Sequence, residues 1–320
     1  MNQIKLLGRS FAGADLSGYK IVKSGCIVYT KSPLSIFPYG IIKRAENIEG
    51  IVSTLYSVYD VSIRFDGRFI ENYFALPSRA NSYLKPLVRI GAKHTMQIGN
   101  NEFISHEISF PSLNEQKKIC DFISLIDQRI AIQNKTIAHY ESLIRALATA
   151  VIGANKPNTQ IVNVVDCSSS TLKESDLDEA GTVPTYGAAG LSGYTDVCLS
   201  VRDSILITKD GSGVGSLRYV RGSHSFVGTL NSLTPKEGIY LPYIYYALRN
   251  VNFDSYKTGQ AIPHIYFKDY GKEKIYCPTY DEQIRLAKPL ELIDTKIERE
   301  KEMSRKLQSL KAYLLAGLFI

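Results

Sequence analysis

Apolar residues recur every seven positions along two stretches of the chain. In the first, Ile123, Ile130, Ile137, Ile144 and Val151 form one row and Ile119, Ile126, Tyr140 and Leu147 a second, interrupted by Gln133. Such spacing is the seam of a long helix that packs on another helix. In the second stretch, Leu286, Leu290, Ile293, Ile297, Met303, Leu307, Leu310, Leu314 and Leu318 continue a similar stripe, with Glu300 at the position equivalent to Gln133. Roughly 36 helical residues at about 1.5 Å each make a rod of about 55 Å. That exceeds what one small domain needs for its own cover, so the two helices are expected to pair in fixed register. Pro289 is expected to break or kink the second helix after its first two turns.

The two stretches are copies of one unit. Residues 111–153 lie without a gap on residues 278–320 at a constant offset of 167. Each copy opens with a Ser/Thr-x-x-Glu capping box, Ser112 with Glu115 and Thr279 with Glu282, which would satisfy the first free amides of a helix. Leu-Ile-Asp follows in both, at 125–127 and 292–294. Fainter repeats precede the helices: Leu16–Tyr19 with Leu191–Tyr194, Cys26–Lys31 with Ser204–Lys209, Val52–Ser57 with Val227–Ser232, and Tyr73–Leu76 with Tyr245–Leu248. Short β-branched and aromatic runs bounded by Gly, Asp and Ser separate these anchors, which predicts two strand-rich α+β units. The layout is therefore domain, helix, domain, helix.

Composition fits that layout. With 320 residues, 44% hydrophobic and 22% charged, the chain can bury two ordinary cores. A formal charge of +7 favours a polyanionic partner. The five cysteines, Cys26, Cys120, Cys167, Cys198 and Cys277, have no C-x-x-C spacing; a reducing compartment and no metal site is the simple inference. No signal peptide or membrane-length apolar run is read, so a cytoplasmic location is expected.

Catalytic motifs fare poorly. Asp210–Gly215 is glycine-rich and follows the apolar run Ser204–Thr208, but Ser216–Val220 reads as another strand, whereas a phosphate cradle needs a helix start. A hairpin turn is expected there. Glu115-Gln116-Lys117 has a nuclease-like Glu-x-Lys spacing, yet it opens a helix, and the second copy carries Ile284 in place of the lysine. His94, His106, His139, His224 and His264 show no paired metal spacing.

The duplicated Pro-x-x-x-Glu-Gln helix starts, the following Leu-Ile-Asp, and the segments Tyr186–Ala188, Gly193–Asp196 and Lys209–Gly213 resemble the specificity subunits of type I restriction-modification systems. The resemblance covers nearly the whole chain. It implies an α+β protein with two target-recognition domains in tandem, at 1–110 and 154–277. Each is followed by a spacer helix, at 111–153 and 278–320, and the helices form an antiparallel coiled coil. It implies a non-catalytic subunit in which each domain reads half of a bipartite sequence in double-stranded DNA. Two methyltransferase subunits and restriction/translocase subunits are the implied partners; S-adenosylmethionine, ATP and magnesium would sit on them and not on this chain. The alternative is a truncated or silent product acting only as a coiled-coil scaffold.

That alternative arises because matching Leu16 to Leu191 leaves the first domain without a counterpart of roughly Gln160–Ser175, so it reads as N-terminally clipped with an open strand edge. DNA reading needs basic and polar side chains on loops between strands. The candidates are Lys31, Lys43, Arg44 and Arg68 in the first domain, with Arg64, Arg79 and Lys93 as further basic residues. In the second they are Lys209, Ser212, Arg218 and Arg221, and Lys257, Gln260, His264 and Lys268 around Thr258–Pro263. The helix seam is expected through Ile123, Ile126, Ile130, Ile137 and Ile144 and through Ile293, Ile297, Leu307 and Leu314.

Overall fold

The computed structural model describes residues 8, 15–91, 96–178, 180–259 and 262–319; Gln260, Lys93 and the segment before Asp15 other than Gly8 lie outside the described residues. The chain divides into unit 1, residues 1–133 with 303–320, and unit 2, residues 134–302.

In unit 1, β1 (Lys20–Val22) pairs with β4 (Gly50–Val52), while β2 (Ile27–Thr30) lies between β3 (Ile41–Arg44) and β5 (Tyr56–Tyr59), all antiparallel. Alternation in β2 turns Ile27 and Tyr29 inward, and the Tyr29 hydroxyl, fully buried, donates to the Tyr39 carbonyl at 2.7 Å. Helices α1 (Gly67–Phe74) and α2 (Pro77–Leu84) close the core with Phe74, Ala80 and Leu84. After them come the two-residue strands β6 (Arg89–Ile90) and β7 (Met96–Gln97), the turn α3 (Asn100–Phe103) and the long helix α4 (Leu113–Ala148).

Unit 2 takes in the second part of α4 and continues past a π-helical turn at Thr149–Gly153 with β8 (Thr159–Gln160), the turn α5 (Ile161–Val164) and β9 (Val165–Ser169). A hairpin follows, β10 (Val183–Gly187) with β11 (Gly190–Thr195). The central strand β12 (Ser204–Thr208) is buried along its whole length, as its apolar run Ile-Leu-Ile requires. Strand β13 (Leu217–Val220) lies on one side of it; β14 (Ser225–Phe226) joins the β10 hairpin; β15 (Leu230–Pro235) lies on the other side of β12 and carries β9 on its far edge. Helix α6 (Leu241–Leu248), the turn α7 (Phe267–Tyr270) and strand β16 (Lys274–Ile275), paired with β8, lead into the second long helix, α8 (Tyr280–Gly317). The unit 2 core joins Ile205, Ile207 and Leu233 to Tyr243, Ile244 and Leu248, to Ile144 and Ala148 of α4, and to Ala287, Leu290 and Ile297 of α8.

Ser112 and Glu115 form the expected capping box: the Glu115 carboxylate accepts from the Ser112 amide at 3.0 Å, and the Ser112 hydroxyl lies 3.4 Å from the Glu115 amide. In the second copy Glu282 pairs instead with Arg285 at 2.9 Å. Helix α8 runs unbroken through Pro289. The carbonyl that the proline leaves without an amide belongs to Arg285, and both residues face solvent, so water can replace the lost bond.

The expected stripe on α8 holds only in its first half. Met303, Leu310 and Leu318 are exposed, and Ser304, Leu315 and Phe319 are buried instead. A seven-residue step from Ile297 falls on Ser304 and then on Lys311; apolar residues alone draw the stripe one position off because two seam positions are polar. Ile123, Ile126, Ile144 and Ile297 are buried, and Ile130, Ile137, Ile293, Leu307 and Leu314 half-buried. In unit 1, Lys311 pairs with Asp127; in unit 2, Lys301 reaches Glu141 at 3.0 Å.

The fainter repeat also shifts. Lys31 donates its amide to the Leu55 carbonyl at 2.8 Å, and Lys209 donates to the Thr229 carbonyl at 2.9 Å. Leu55 thus matches Thr229 and not Leu230, and the helix caps Asp66 and Tyr240 keep the same offset, so α1 matches α6 two residues away from the Tyr73–Tyr245 alignment. In a strand a one-residue slip exchanges the faces, which is why hydrogen bonding and not residue likeness sets the register.

Candidate nucleic-acid interface

The glycine-rich run is a hairpin turn, as expected. Thr208 donates its amide to the Ser216 carbonyl at 3.0 Å and Gly215 returns a bond to Thr208 at 2.9 Å, so β12 passes directly into β13. Gly215 has φ of +89°, and a Cβ there would stand 2.8 Å from Phe253 Cβ. Gly215→Ala is therefore expected to destabilise unit 2 by about 2 kcal/mol through left-handed backbone strain and the clash. A thermal melt checks it; an unchanged midpoint would mean the hairpin can re-form around a side chain.

The second candidate loop docks on this hairpin. Gly211 donates to the Pro263 carbonyl and Ile265 to the Lys209 carbonyl, each at 2.9 Å, while Thr258 and His264 exchange main-chain bonds that close the loop on itself. Two clusters about fifty residues apart in sequence thereby become one surface at one end of the β12 sheet, carrying Lys209, Ser212 and His264. Ser212 is exposed, and His264 lies edge-on to the exposed ring of Tyr266, with centroids 4.9 Å apart. Lys268 sits over the same ring at 5.0 Å, and Lys257 pairs with Asp254 at 2.6 Å. Arg218, exposed on β13, lies beneath the β10–β11 turn, its guanidinium 3.3 Å from where a Cβ of Gly190 would be.

Arg221 falls elsewhere. Val220 pairs with Ser204 at the start of β12, whereas Leu217 pairs with Ile207 beside Lys209. Arg221 is thus at the opposite end of the sheet, over the Tyr219 ring at 6.0 Å.

In unit 1 the equivalent of Lys209 is Lys31, which takes the same register against β5. An open cleft of about 560 Å³ is lined by Lys31, Thr54, Arg89, Gln97 and Glu102, among others. Lys31 Nζ lies 3.5 Å from the Ile98 carbonyl, and burial, then the neighbouring Lys20 charge, lowers its pKa. Arg89, which the sequence reading did not single out, pairs with Glu102 at 3.0 Å and is largely exposed. Lys43 and Arg44 lie toward the far end of the sheet beside Glu71, with Arg44 also held by Glu46 at 2.7 Å. Arg68 is bound by Asp66 at 2.7 Å and Asp121 at 2.8 Å. Burial would raise the Asp66 carboxyl, but its bonds from Arg68 hold it below the usual value. Arg79 caps α8, donating to the carbonyls of Leu315 and Ala316 at 2.9 and 3.1 Å.

The repeated glutamine has a role that no residue count revealed. Gln116 accepts from the Asp66 amide and donates to the Pro111 carbonyl, each at 2.9 Å; Gln283 accepts from the Tyr240 amide and donates to the Pro278 carbonyl, each at 2.9 Å. Asp66 and Tyr240 are the N-caps of α1 and α6. Each long helix is therefore latched to its own strand-rich domain by the same buried amide.

The serine–histidine contact in unit 2 is a similar latch. Ser204 Oγ lies 2.7 Å from His224 Nε2, and His224 Nδ1 lies 2.8 Å from the Gly222 carbonyl. A ring nitrogen facing a carbonyl carries the proton, so Nε2 accepts from the hydroxyl. Both residues are fully buried. Among the described residues no cluster of His, Cys, Asp and Glu is placed to hold a metal ion, and no helix is long and apolar enough to cross a membrane.

Residues 155–309 match the family model described as "Type I restriction modification DNA specificity domain". This stretch is a type I restriction-modification specificity domain. It contains both candidate loops of unit 2 and most of α8. The specificity subunit of the type I restriction enzyme EcoprrI, from Escherichia coli, is 23% identical over 128 residues, 40% of this chain. The chain spans about a third of that relative's length, 32%. Among solved structures, the S subunit of the type I restriction-modification system of M. genitalium aligns over 94% of this chain and 84% of its own, with a TM-score of 0.64 at 19% identity. A chain from a structure of type I R-M complex assembly and conformational transition aligns over 96% of this chain and 84% of its own, with a TM-score of 0.55 at 16% identity. The specificity-subunit fold thus extends beyond the matched domain to unit 1.

Proposed function

We propose that the chain is the non-catalytic DNA-reading subunit of a type I restriction-modification complex. Each strand-rich domain would read one half of a bipartite target, and α4 and α8, as an antiparallel coiled coil, would set the gap. The observation that carries this is the docking of the 257–265 loop on the glycine hairpin, which gathers Lys209, Ser212 and His264 beside the specificity domain's sheet end, with its counterpart at Lys31 in unit 1. Exposed cations and hydroxyls on loops suit phosphate contacts and base-edge readout. The opening of α4 packs with the end of α8 in unit 1, and the end of α4 with the opening of α8 in unit 2, which supports the antiparallel pairing. Domains at 1–110 and 154–277 and spacers at 111–153 and 278–320 belong to this reading. Methyltransferase subunits, two per complex, would bring S-adenosylmethionine, and restriction/translocase subunits ATP and magnesium, in the cytoplasm.

Methylome sequencing of a methylation-free host expressing the chain with a cognate methyltransferase subunit tests the proposal. A split, asymmetric motif with a constant gap is expected. A stable complex that leaves DNA unmethylated would overturn it in favour of a scaffold.

A further inference from the structure

The strand pair β6–β7 of unit 1 and the 257–265 loop of unit 2 occupy the same place in the repeat. The turn α3 stands 167 positions before α7, the offset that also separates the starts of the long helices, so Ile98 answers Ile265 and Gln97 answers His264. Each segment is tied to the same lysine position: Ile265 donates its amide to the Lys209 carbonyl at 2.9 Å, and the Ile98 carbonyl accepts from the Lys31 ammonium at 3.5 Å. In unit 2 the residue paired with His264 is Thr258; in unit 1 the residue paired with Gln97 is Arg89. The two domains thus present different side chains from one structural place, which suits two different half-sites.

Local geometry sets Arg89 apart from the other paired cations of unit 1. Met96 and Ile98 are buried, so alternation turns Gln97 outward, and Arg89, directly opposite, shares its face. Both line the open cleft together with Lys31 and Thr54. Arg89 is braced on one side: its Nη2 donates to Glu102 Oε1 at 3.0 Å, and Glu102 Oε2 accepts from the Gly99 amide at 2.8 Å, which fixes the carboxylate. The Arg89 side chain is nevertheless 80% exposed. Arg68, by contrast, commits Nε, Nη1 and Nη2 to Asp66 and Asp121. The Glu102 charge offsets that of Arg89 at short range, so a phosphate gains little there, whereas the remaining guanidinium N–H groups can donate to the uncharged O6 and N7 of a guanine.

We propose that Arg89 is a specificity-determining residue of unit 1 and reads a guanine in the major groove, carried there by the β6–β7 ribbon. This rests on the DNA-reading role proposed above and names a base for one of its half-sites. A fork of two donors matches the paired acceptors O6 and N7, which guanine alone presents in the major groove, and a two-stranded ribbon fits that groove.

Methylome sequencing and competition titrations of the whole complex test the assignment. The wild-type motif should hold a G·C pair, in the half-site read by unit 1, that Arg89→Lys and Arg89→Ala no longer demand; the other half and the gap should stay the same. Among duplexes carrying the four base pairs at that position, the preference for guanine should fall at least about tenfold in both variants. Lysine keeps the charge and loses the fork. A phosphate contact would therefore leave the Arg89→Lys motif intact and weaken Arg89→Ala on all sequences alike. That result, a motif unaltered in both variants, or a wild-type motif with no G·C pair in either half would each overturn the assignment while DNA reading stood. Thermal melts of both variants should match wild type; lowered midpoints in both would place Arg89 in the fold and overturn it as well. A stable wild-type complex that leaves DNA unmethylated would instead remove the reading itself, and the assignment with it.

Discussion

Gln283→Ala is expected to weaken unit 2 by about 3 kcal/mol, and Gln116→Ala unit 1 by a similar amount. Both amides are about 1% exposed, and each satisfies a helix-cap N–H and a proline carbonyl that cannot turn to water. Stranding a buried polar group costs about 1–3 kcal/mol, and two are stranded at each site, partly offset if water enters the cavity. Amide exchange in the affected unit should accelerate by about two orders of magnitude, since each 1.4 kcal/mol is roughly tenfold. Gln283→Glu is the informative companion: it keeps the acceptor for Tyr240 but sets a buried carboxylate against the Pro278 carbonyl, so it should destabilise at least as much as Gln283→Ala at neutral pH. A loss below about 1 kcal/mol in Gln283→Ala would mean the latch is incidental to folding.

Reversing two charges together, Lys31→Glu with Lys209→Glu, should weaken DNA binding by about 10² to 10³-fold and flatten its salt dependence, because each neutralised phosphate contact contributes roughly 0.9 to the slope. Anisotropy titrations of the complex at two salt concentrations read both quantities. Lys43→Glu is the control: its ammonium already lies 3.5 Å from Glu71 toward the other end of the sheet, and affinity should change less than about threefold. If the control and the double variant lose affinity equally, the binding surface is diffuse and the Lys31 and Lys209 sheet ends are not its centre.

Much of this architecture is legible in the residues. The seven-residue rows predict α4 and α8, the offset of 167 pairs their starts, and the strand after the glycine run excludes a phosphate cradle in advance of any coordinates. These features depend on neighbours along the chain: helix caps, apolar period and turn chemistry act over fewer than about ten residues. Errors arise where polar residues take structural places. Ser304 and Lys311 occupy the α8 seam, and Pro289 sits on the exposed face of its helix, so an apolar stripe misdraws the first and a helix-breaker rule the second.

Tertiary structure decided which cations stand together. Arg44 and Arg68 look in sequence like Lys209, yet they are ion-paired within their own unit. Arg221 is only three residues beyond Arg218 and lies at the other end of the sheet. Lys209 and His264 meet because Gly211 bonds Pro263, a contact set by sheet register and loop closure. By itself the sequence determined a duplicated pair of helices and two strand-rich domains, because local periodicity and capping carry that information. Which side chains share a surface depended on long-range hydrogen-bond register, where a single-residue shift turns a side chain from one face to the other.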